Sequence, residues 1–482
     1  MGYKILVMNS NLYLNFNNQK RSGLSSKIKN CIKLTLIEEK SFKDWYKDCP
    51  LKLKNWIDGN DFKPISGSVL LCPDNQLKIS EVFAIVGNKN IFWEISKIKK
   101  SLPKGSYEVF PPKNNISIYA VAWALENYNF SPFISKEKKS ISFFNQAQLY
   151  IEEKNLKEVL PLINGVFLAR DLINLPANLM NPEKIEEISL EIAKFHNAEI
   201  KIIKGEKLKK NFPTIYTVGR AAEKSPRLID LQLTKDKKFP NITLVGKGVT
   251  FDSGGLDLKS AKAMQLMKKD MGGAAIAMGL AHSLILENLD VNIRLLIPTV
   301  ENAVSRKSMR PLDVIRTRSG VDVEIGNTDA EGRLILADAL DYANEQSPDL
   351  LIDFATLTGA ARVALGTELA ALFSNNSYES LRLISVANKV NEPIFQMPLH
   401  KPYERFLNKA NGALSSTGSS SYGGAITAAL FLQKFIKKET NWMHLDVMAW
   451  NIESLPGRPV GGEATSLRAF FYYLKDYIKN YQ

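Results

Sequence analysis

Apolar and polar positions follow two different rhythms along this chain, and the change between them divides it. Residues 1 to about 145 mix short apolar runs at Ser68–Cys72, Val82–Val86 and Tyr107–Phe110 with helical spacing around Phe92–Leu102 and Ile118–Asn127. Short strands mixed with helices predict a small α/β domain. Its exit is expected at Ser131–Ser142, which carries one proline and a lysine-rich run. From Ala147 to Ile173, Leu156, Val159, Leu160, Ile163, Val166, Phe167, Ala169 and Leu172 recur mostly at spacings of three and four. That is the helical period. Pro161 should kink this helix or divide it in two. Pro176 should end it, because the residue before a proline is pushed out of the α region. Residues 146–180 are therefore expected to form a helical connection between domains.

Beyond Asn181 the rhythm becomes strand, loop, helix, repeated. Buried strands are predicted at Ile200–Ile203, Ile242–Val245, Val291–Ile297, Val321–Ile325 and Leu350–Phe354, with helices such as Ala274–Glu287 and Arg333–Gln346 among them. A Ser/Gly-rich loop, Ser415–Gly424, precedes a further helical run, Ala425–Lys434. The expected fold is α/β with two domains, the larger one (181–482) built on a mostly parallel, helix-covered sheet. In such sheets ligands bind beyond the carboxyl ends of the strands.

The length of 482 residues independently favours two domains, since it exceeds what one core usually organises. No stretch approaches the ~18 apolar residues of a membrane span. The start, Met1–Leu6, passes at once into the polar Asn9–Asn11, which argues against a signal peptide. Three cysteines, Cys31, Cys49 and Cys72, have neither the number nor the spacing of a disulfide framework or zinc knuckle. A reducing, cytoplasmic setting is the expectation. Only four histidines are present, far apart in sequence, so metal chemistry would have to lean on carboxylates. The net charge of +13 raises nucleic acid or an anionic membrane as partners. The excess lysines are scattered, however, in runs such as Lys97–Lys100 and Lys136–Lys139. Phosphate grips cluster them on one face.

Three clusters carry candidate chemistry. Gly246-Lys247-Gly248-Val249-Thr250-Phe251-Asp252-Ser253-Gly254-Gly255, followed by Lys259, leaves a predicted strand through a glycine-rich turn. It lacks the spacing of a phosphate-binding loop, and Lys247 with Asp252 could be a structural ion pair. Asp270, in Lys268-Lys269-Asp270-Met271-Gly272-Gly273, could merely offset a helix dipole. Asp329, Glu331 and Arg333, in Asn327-Thr328-Asp329-Ala330-Glu331-Gly332-Arg333-Leu334, could merely cap a helix. Together they favour metals. Four carboxylates converging beyond one sheet edge are costly unless cations neutralise them. Two divalent ions roughly 3.5–4 Å apart would do so and would supply an activated water.

These segments resemble the leucyl aminopeptidase (cytosol aminopeptidase) family of two-metal exopeptidases. The family signature NTDAEGRL stands unaltered as Asn327–Leu334, and GKGxxFDSGG and K-x-D-M-G-G match Gly246–Gly255 and Lys268–Gly273. The likeness runs through most of the chain after about residue 165, including Arg170–Leu179 and Glu301–Ala303, and is faint before it. The resemblance implies a metal-dependent aminopeptidase that removes the first residue of peptides with a free N-terminus. It implies Mn²⁺ or Zn²⁺ held by five ligands, with Asp252 and Glu331 touching both ions. Lys247 and Asp270 would complete the tighter site and Asp329 the more exchangeable one. Lysine ligation needs the neutral amine, so adjacent cations would have to lower its pKa below the ordinary lysine value of about 10.4. Lys259 would polarise the scissile carbonyl, and Arg333 would hold bicarbonate as proton acceptor. A homohexamer is implied as well.

Two departures bear on specificity. The chain reads His444-Leu445-Asp446-Val447-Met448-Ala449-Trp450 where better-known members have a segment like HLDIAGTAW, and the Ser415–Gly424 loop is unusual. Both should border the pocket for the first side chain, so a leucine preference does not carry over. Two alternatives stay open at this level. A two-metal phosphoesterase would use similar carboxylates but lacks the expected histidines. An added DNA-binding architectural role would require the lysines of the N-terminal domain to form one stripe.

Overall fold

The computed structural model describes residues 16–27, 30–87, 91–110, 116–130 and 147–481. The Met1–Asn11 start, the Ser131–Ser142 exit and the Lys136–Lys139 run lie outside the described residues. The chain divides into two compact units, one of residues up to Asn164 with Glu453–Val460, the other of Gly165–Ile452 with Gly461–Gln482. Among the described residues no helix is long and apolar enough to cross a membrane.

The first unit contains a six-stranded sheet of β1 (Leu24–Ser25), β2 (Ile32–Glu38), β3 (Val69–Pro73), β4 (Ile79–Val86), β5 (Gly105–Phe110) and β6 (Ala147–Tyr150), in the order β1-β6-β5-β2-β4-β3. All pairs are parallel except β3 with β4. Val82–Val86 is buried without alternation, as expected of an inner strand covered on both faces. Ile37, Phe42, Ile57, Leu70, Phe83 and Ile85 form one core cluster. The helix Ile116–Asn127 buries every residue from Tyr119 to Leu125, as an element apolar all round must.

The helical expectation for 146–180 needs correction at its start. Ala147–Tyr150 is strand β6, paired with β1 and β5. Helix then runs from Glu153 to Asn174 as one element through Pro161. A proline removes one helical hydrogen bond, but Leu156, Val159, Leu162, Ile163, Val166 and Phe167 are all buried around it, and that packing carries the helix past the gap.

The second unit is built on a nine-stranded sheet. Its members are β7 (Glu199–Lys204), β8 (Arg227–Leu233), β9 (Asn241–Gly246), β10 (Gly248–Asp252), β11 (Asn292–Asn302), β14 (Leu350–Ala355), β15 (Ala370–Ser374), β16 (Ile394–Gln396) and β18 (Trp442–Asp446). The order is β16-β15-β18-β14-β9-β11-β8-β7, with β10 added to the end of β11. The central pairs β18–β14–β9–β11 and β10–β11 are parallel, so their carboxyl ends share one edge. Antiparallel pairing appears only at β15–β18, β11–β8 and β8–β7. Strands β14 and β18 are buried throughout, and so is the helix Gly272–Leu286 as far as Leu284.

One predicted strand belongs elsewhere. Asp322–Glu324 (β13) does not enter the main sheet but pairs with β12 (Val314–Arg316) and β17 (Leu414–Ser415) in a small sheet of three. Its polar ends explain this. Asp322 is bonded to Arg316 and Glu324 to Lys409 and Asn411, so only Val323 is free to be apolar.

The helix Pro182–His196 meets the helix Gly272–Leu286 through two imidazoles, His196 Nε2 lying 2.8 Å from His282 Nδ1. Burial pushes the His196 pKa down from 6.5 to about 4. The unfolded chain therefore binds more protons than the native one between these values. Stability from this site is complete above pH 6.5 and is lost as pH falls toward 4, on the order of 3 kcal/mol in full. Thermal unfolding of the wild type should weaken over this window more steeply than that of His196→Gln. Parallel pH profiles would show that the imidazole is not the titrating group.

Candidate metal centre

The candidate residues come from different elements that end at one sheet edge. Lys247 follows β9 directly, and its backbone bridges two neighbours: its N–H donates to Phe354 O (2.9 Å) and its carbonyl accepts from Ala274 N (2.9 Å). Asp252 is the last residue of β10. After it, Gly254 and Gly255 take φ values of 88° and 68°, a left-handed turn that glycine enters without steric cost and that swings Lys259 back over the strand end. Asp270 lies in the short 3-10 turn Met267–Met271, just before the helix at Gly272. Asp329 lies in the loop after β13, and Glu331 opens the helix Glu331–Asn344.

These side chains form two linked ion-pair groups. Lys247 Nζ is 2.8 Å from Asp270 Oδ2 and 3.0 Å from Glu331 Oε1, and donates to Thr356 O at 2.9 Å. Lys259 Nζ is 2.9 Å from Asp252 Oδ2 and also pairs with Asp329. Glu331 does stand in the first turn of its helix, but Asp329 does not cap it and Asp270 has closer partners than a helix end. The residue at the cap of the Glu331 helix is Ala330, without a side-chain cap bond, and Asp270 is taken up by Lys247 and Thr356.

A second row of residues, mostly missed by sequence reasoning, fixes the first. Asn302 Nδ2 donates to Asp252 Oδ1 (2.8 Å) and to Thr328 O (3.1 Å). Thr328 Oγ1 donates to Gly254 O (2.6 Å) and accepts from Asp257 N (2.8 Å), tying the two motif loops together. Thr356 Oγ1 donates to Asp270 Oδ1 (2.8 Å). Asp446, at the end of β18, accepts from Leu357 N, Thr358 N and Thr358 Oγ1 at 3.0, 3.0 and 2.6 Å. Asp446 was visible only as part of a motif, and Thr356 carried no local signal.

Charge does not balance in this cluster. Four carboxylates face two ammonium groups, and Lys247, Asp252, Asp270 and Glu331 are each 1–3% exposed. Burial, reinforced by Asp270, pushes Asp252 up to about 6. Burial, reinforced by Asp252, pushes Glu331 up to about 8. Burial opposes the Lys247 charge, but Asp270, Glu331 and Asp252 outweigh it and hold the ammonium above its ordinary range. With carboxylates around it, Lys247 is thus strongly protonated. The donor set fits divalent cations: Asp252, Asp329 and Glu331 each offer an oxygen, all within 4.8 Å of one another. Two further cations stand beside the cluster. Arg333 Nη1 donates to Ser416 O (2.7 Å), its buried Nε has no hydrogen-bond partner, and burial lowers it to about 10. Lys269 is 1% exposed, its Nζ has no hydrogen-bond partner, and burial lowers it to about 8.

Acidic side chains gathered with lysines at the carboxyl edge of a mostly parallel sheet are the arrangement of a metal-dependent hydrolase. Residues 167–470 match the cytosol aminopeptidase family, catalytic domain, and residues 32–145 match the M17 aminopeptidase, N-terminal domain. The chain belongs to the cytosol aminopeptidase family and is a metal-dependent aminopeptidase. A probable cytosol aminopeptidase of Chlamydia abortus is 37% identical over 364 residues, 73% of each chain. The crystal structure of cytosol aminopeptidase from Coxiella burnetii superposes with a TM-score of 0.89 at 40% identity, over 95% of this chain and 100% of that one. The bottromycin maturation enzyme BotP in complex with Mn gives 0.82 at 26% identity, over 93% and 100%. Neither the phosphoesterase nor the DNA-binding alternative gains support from these likenesses.

Gly332 offers a test of the geometry. A Cβ there would lie 2.5 Å from Lys247 Cε and 2.8 Å from Nζ, and Nζ is already held by three oxygens. Gly332→Ala should therefore displace Lys247 and weaken Mn²⁺ binding by about 10–100-fold, the usual cost of disturbing residues around a metal site. Calorimetric titration of chelator-treated protein measures this, with circular dichroism to verify the fold. An unchanged affinity would show that the position of Lys247 does not matter to the centre.

Proposed function

We propose that Lys247, Asp252, Asp270, Asp329 and Glu331 hold two divalent ions, Mn²⁺ or Zn²⁺, and that Lys259 and Arg333 are the catalytic side chains. The observation that carries this reading is the convergence of Asp252, Asp329 and Glu331 oxygens within 4.8 Å, with Lys247 and Asp270 packed against them. When bound, the ions supply Lewis-acid polarisation of a carbonyl and lower the pKa of water. The protein's own groups do the rest. Lys259 Nζ lies at the rim of the cluster, its side chain 12% exposed, where a peptide carbonyl would arrive. Its fixed charge there stabilises negative charge developing on that oxygen. Arg333, anchored by Ser416 O with Nε unpartnered, is placed to hold a small anion, bicarbonate in this reading. Substrates are peptides with a free N-terminus. We extend the reading to a cytoplasmic homohexamer, on the strength of the family likeness.

Substitution separates these roles. Asp252→Asn and Glu331→Gln should lower metal content together with turnover. Lys259→Ala should keep both metals yet lower kcat by roughly 10²–10³, the scale of losing one oxyanion stabiliser. Arg333→Ala should behave like Lys259→Ala but regain activity with added bicarbonate. Elemental analysis beside steady-state kinetics decides the matter. Full metal loading in Asp252→Asn and Glu331→Gln, or metal loss with normal turnover per bound metal in Lys259→Ala, would overturn the assignment.

A further inference from the structure

Lys259 cannot rely on its carboxylates for position. Its Nζ is paired with Asp252 and Asp329, the two acids that the reading above gives to the metal ions. An ammonium whose partners turn to a metal keeps its place only if its backbone is fixed by something else. Apolar packing does not fix it. Lys259 ends the loop 254–259, and the leucines on either side of Asp257 lie open to solvent, Leu256 45% and Leu258 61% exposed.

Polar bonds to one buried residue fix the loop instead. Thr328 is fully buried and meets the loop at three points. Its backbone N–H donates to Asp257 Oδ2 (2.7 Å), its hydroxyl donates to Gly254 O (2.6 Å), and the Asp257 N–H donates to that hydroxyl (2.8 Å). Thr328 is itself held from the other side, its carbonyl accepting from Asn302 Nδ2 at 3.1 Å. Gly255 packs so closely that a Cβ there would lie 3.0 Å from Thr328 Oγ1. Lys259 N donates to Ser253 O at 3.0 Å, closing the loop on itself. Asp329 follows Thr328 and pairs with Lys259, so one clamp sets where these two side chains stand relative to each other.

We propose that Asp257, with Thr328, is a positioning residue for the reaction: its carboxylate keeps Lys259 at the metal edge when Asp252 and Asp329 are given to the ions. The proposal rests on the roles of the metals and of Lys259 given above and adds a residue to them. Asp257 acts as a hydrogen-bond acceptor for Thr328 N–H, so an amide oxygen serves in its place and the charge itself is not required.

The full-length, Mn²⁺-loaded protein is assayed on Leu p-nitroanilide, beside elemental analysis and trypsin cleavage after Lys259 followed by mass spectrometry. Asp257→Ala should lower kcat by roughly 10–100-fold, because a misplacement of about 1 Å can cost about 10²-fold. KM should stay within about twofold and metal content should stay full, since Lys259 acts on charge that develops only in the transition state. Cleavage after Lys259 should be about tenfold faster or more in Asp257→Ala, the equivalent of one lost hydrogen bond to a charged group. Asp257→Asn should keep the wild-type values of all four. Thr328→Val compared with Thr328→Ser repeats the test from the other side of the clamp, should Asp257→Ala fail to fold. Wild-type kcat or unchanged cleavage in Asp257→Ala, metal loss in it, or equal losses in Asp257→Ala and Asp257→Asn would overturn the proposal. Wild-type kcat in Lys259→Ala would instead overturn the role of Lys259 and this inference with it.

Discussion

The structure depends on one electrostatic constraint: four carboxylates held together, three of them out of water, with two ammonium groups paired to them. Such a set cannot be stable on its own terms. Isolated buried charges are costly, and like charges at close range push one another toward protonation. Asp252 raised to about 6 and Glu331 to about 8 express that conflict in the chain itself. Divalent cations relieve it, so affinity for metal and the reluctance of these acids to be buried together have one origin.

Holding the acids in place falls to backbone groups and short neutral side chains rather than to more charge. Lys247 Nζ has Thr356 O as its third partner, Asn302 braces Asp252, and the Thr328 hydroxyl joins the two motif loops. Neutral donors and acceptors suit this role because they orient a carboxylate without cancelling the charge that a metal must find. Gly332 contributes by absence, its missing Cβ leaving room for the end of the Lys247 side chain.

How much of this was legible in the sequence follows from how local each feature is. The motifs at Gly246–Gly255, Lys268–Gly273 and Asn327–Leu334 carry six of the seven residues proposed above, with Lys259 just beyond the first, because each motif is a turn whose glycines and acids sit within a few positions of one another. Strands β9, β11 and β14 were readable as apolar runs. Strand β10 was not, since Gly248 and Thr250 break its apolar pattern and its partner β11 lies some fifty residues away. Strand β18 was missed because His444 and Asp446 interrupt it. Those polar residues belong there only when β14 is beside them: His444 Nδ1 is 2.6 Å from Asp353 Oδ1, and Trp442 Nε1 donates to Asp353 Oδ2 at 2.8 Å. Val321–Ile325 looked like a core strand because period and length cannot say which sheet a short apolar run joins.

That buried pairing also governs the site. Asp353 stands opposite His444 in the register of β14 with β18, which sets Ala355 opposite Asp446, and Phe354 stands opposite Gly246 in the register with β9. Lys247, Thr356 and Asp446 thereby emerge side by side at the sheet edge. A slip of one residue would turn each of these side chains to the other face, separating Lys247 from Thr356 O and Asp446 from the Thr358 amide. An apolar core would resist such a slip only through packing volume. The Asp353–His444–Trp442 bonds resist it through unsatisfied polar groups as well, a steeper penalty in a dry interior. Polar residues buried well below the catalytic edge thus select the one register in which that edge can exist.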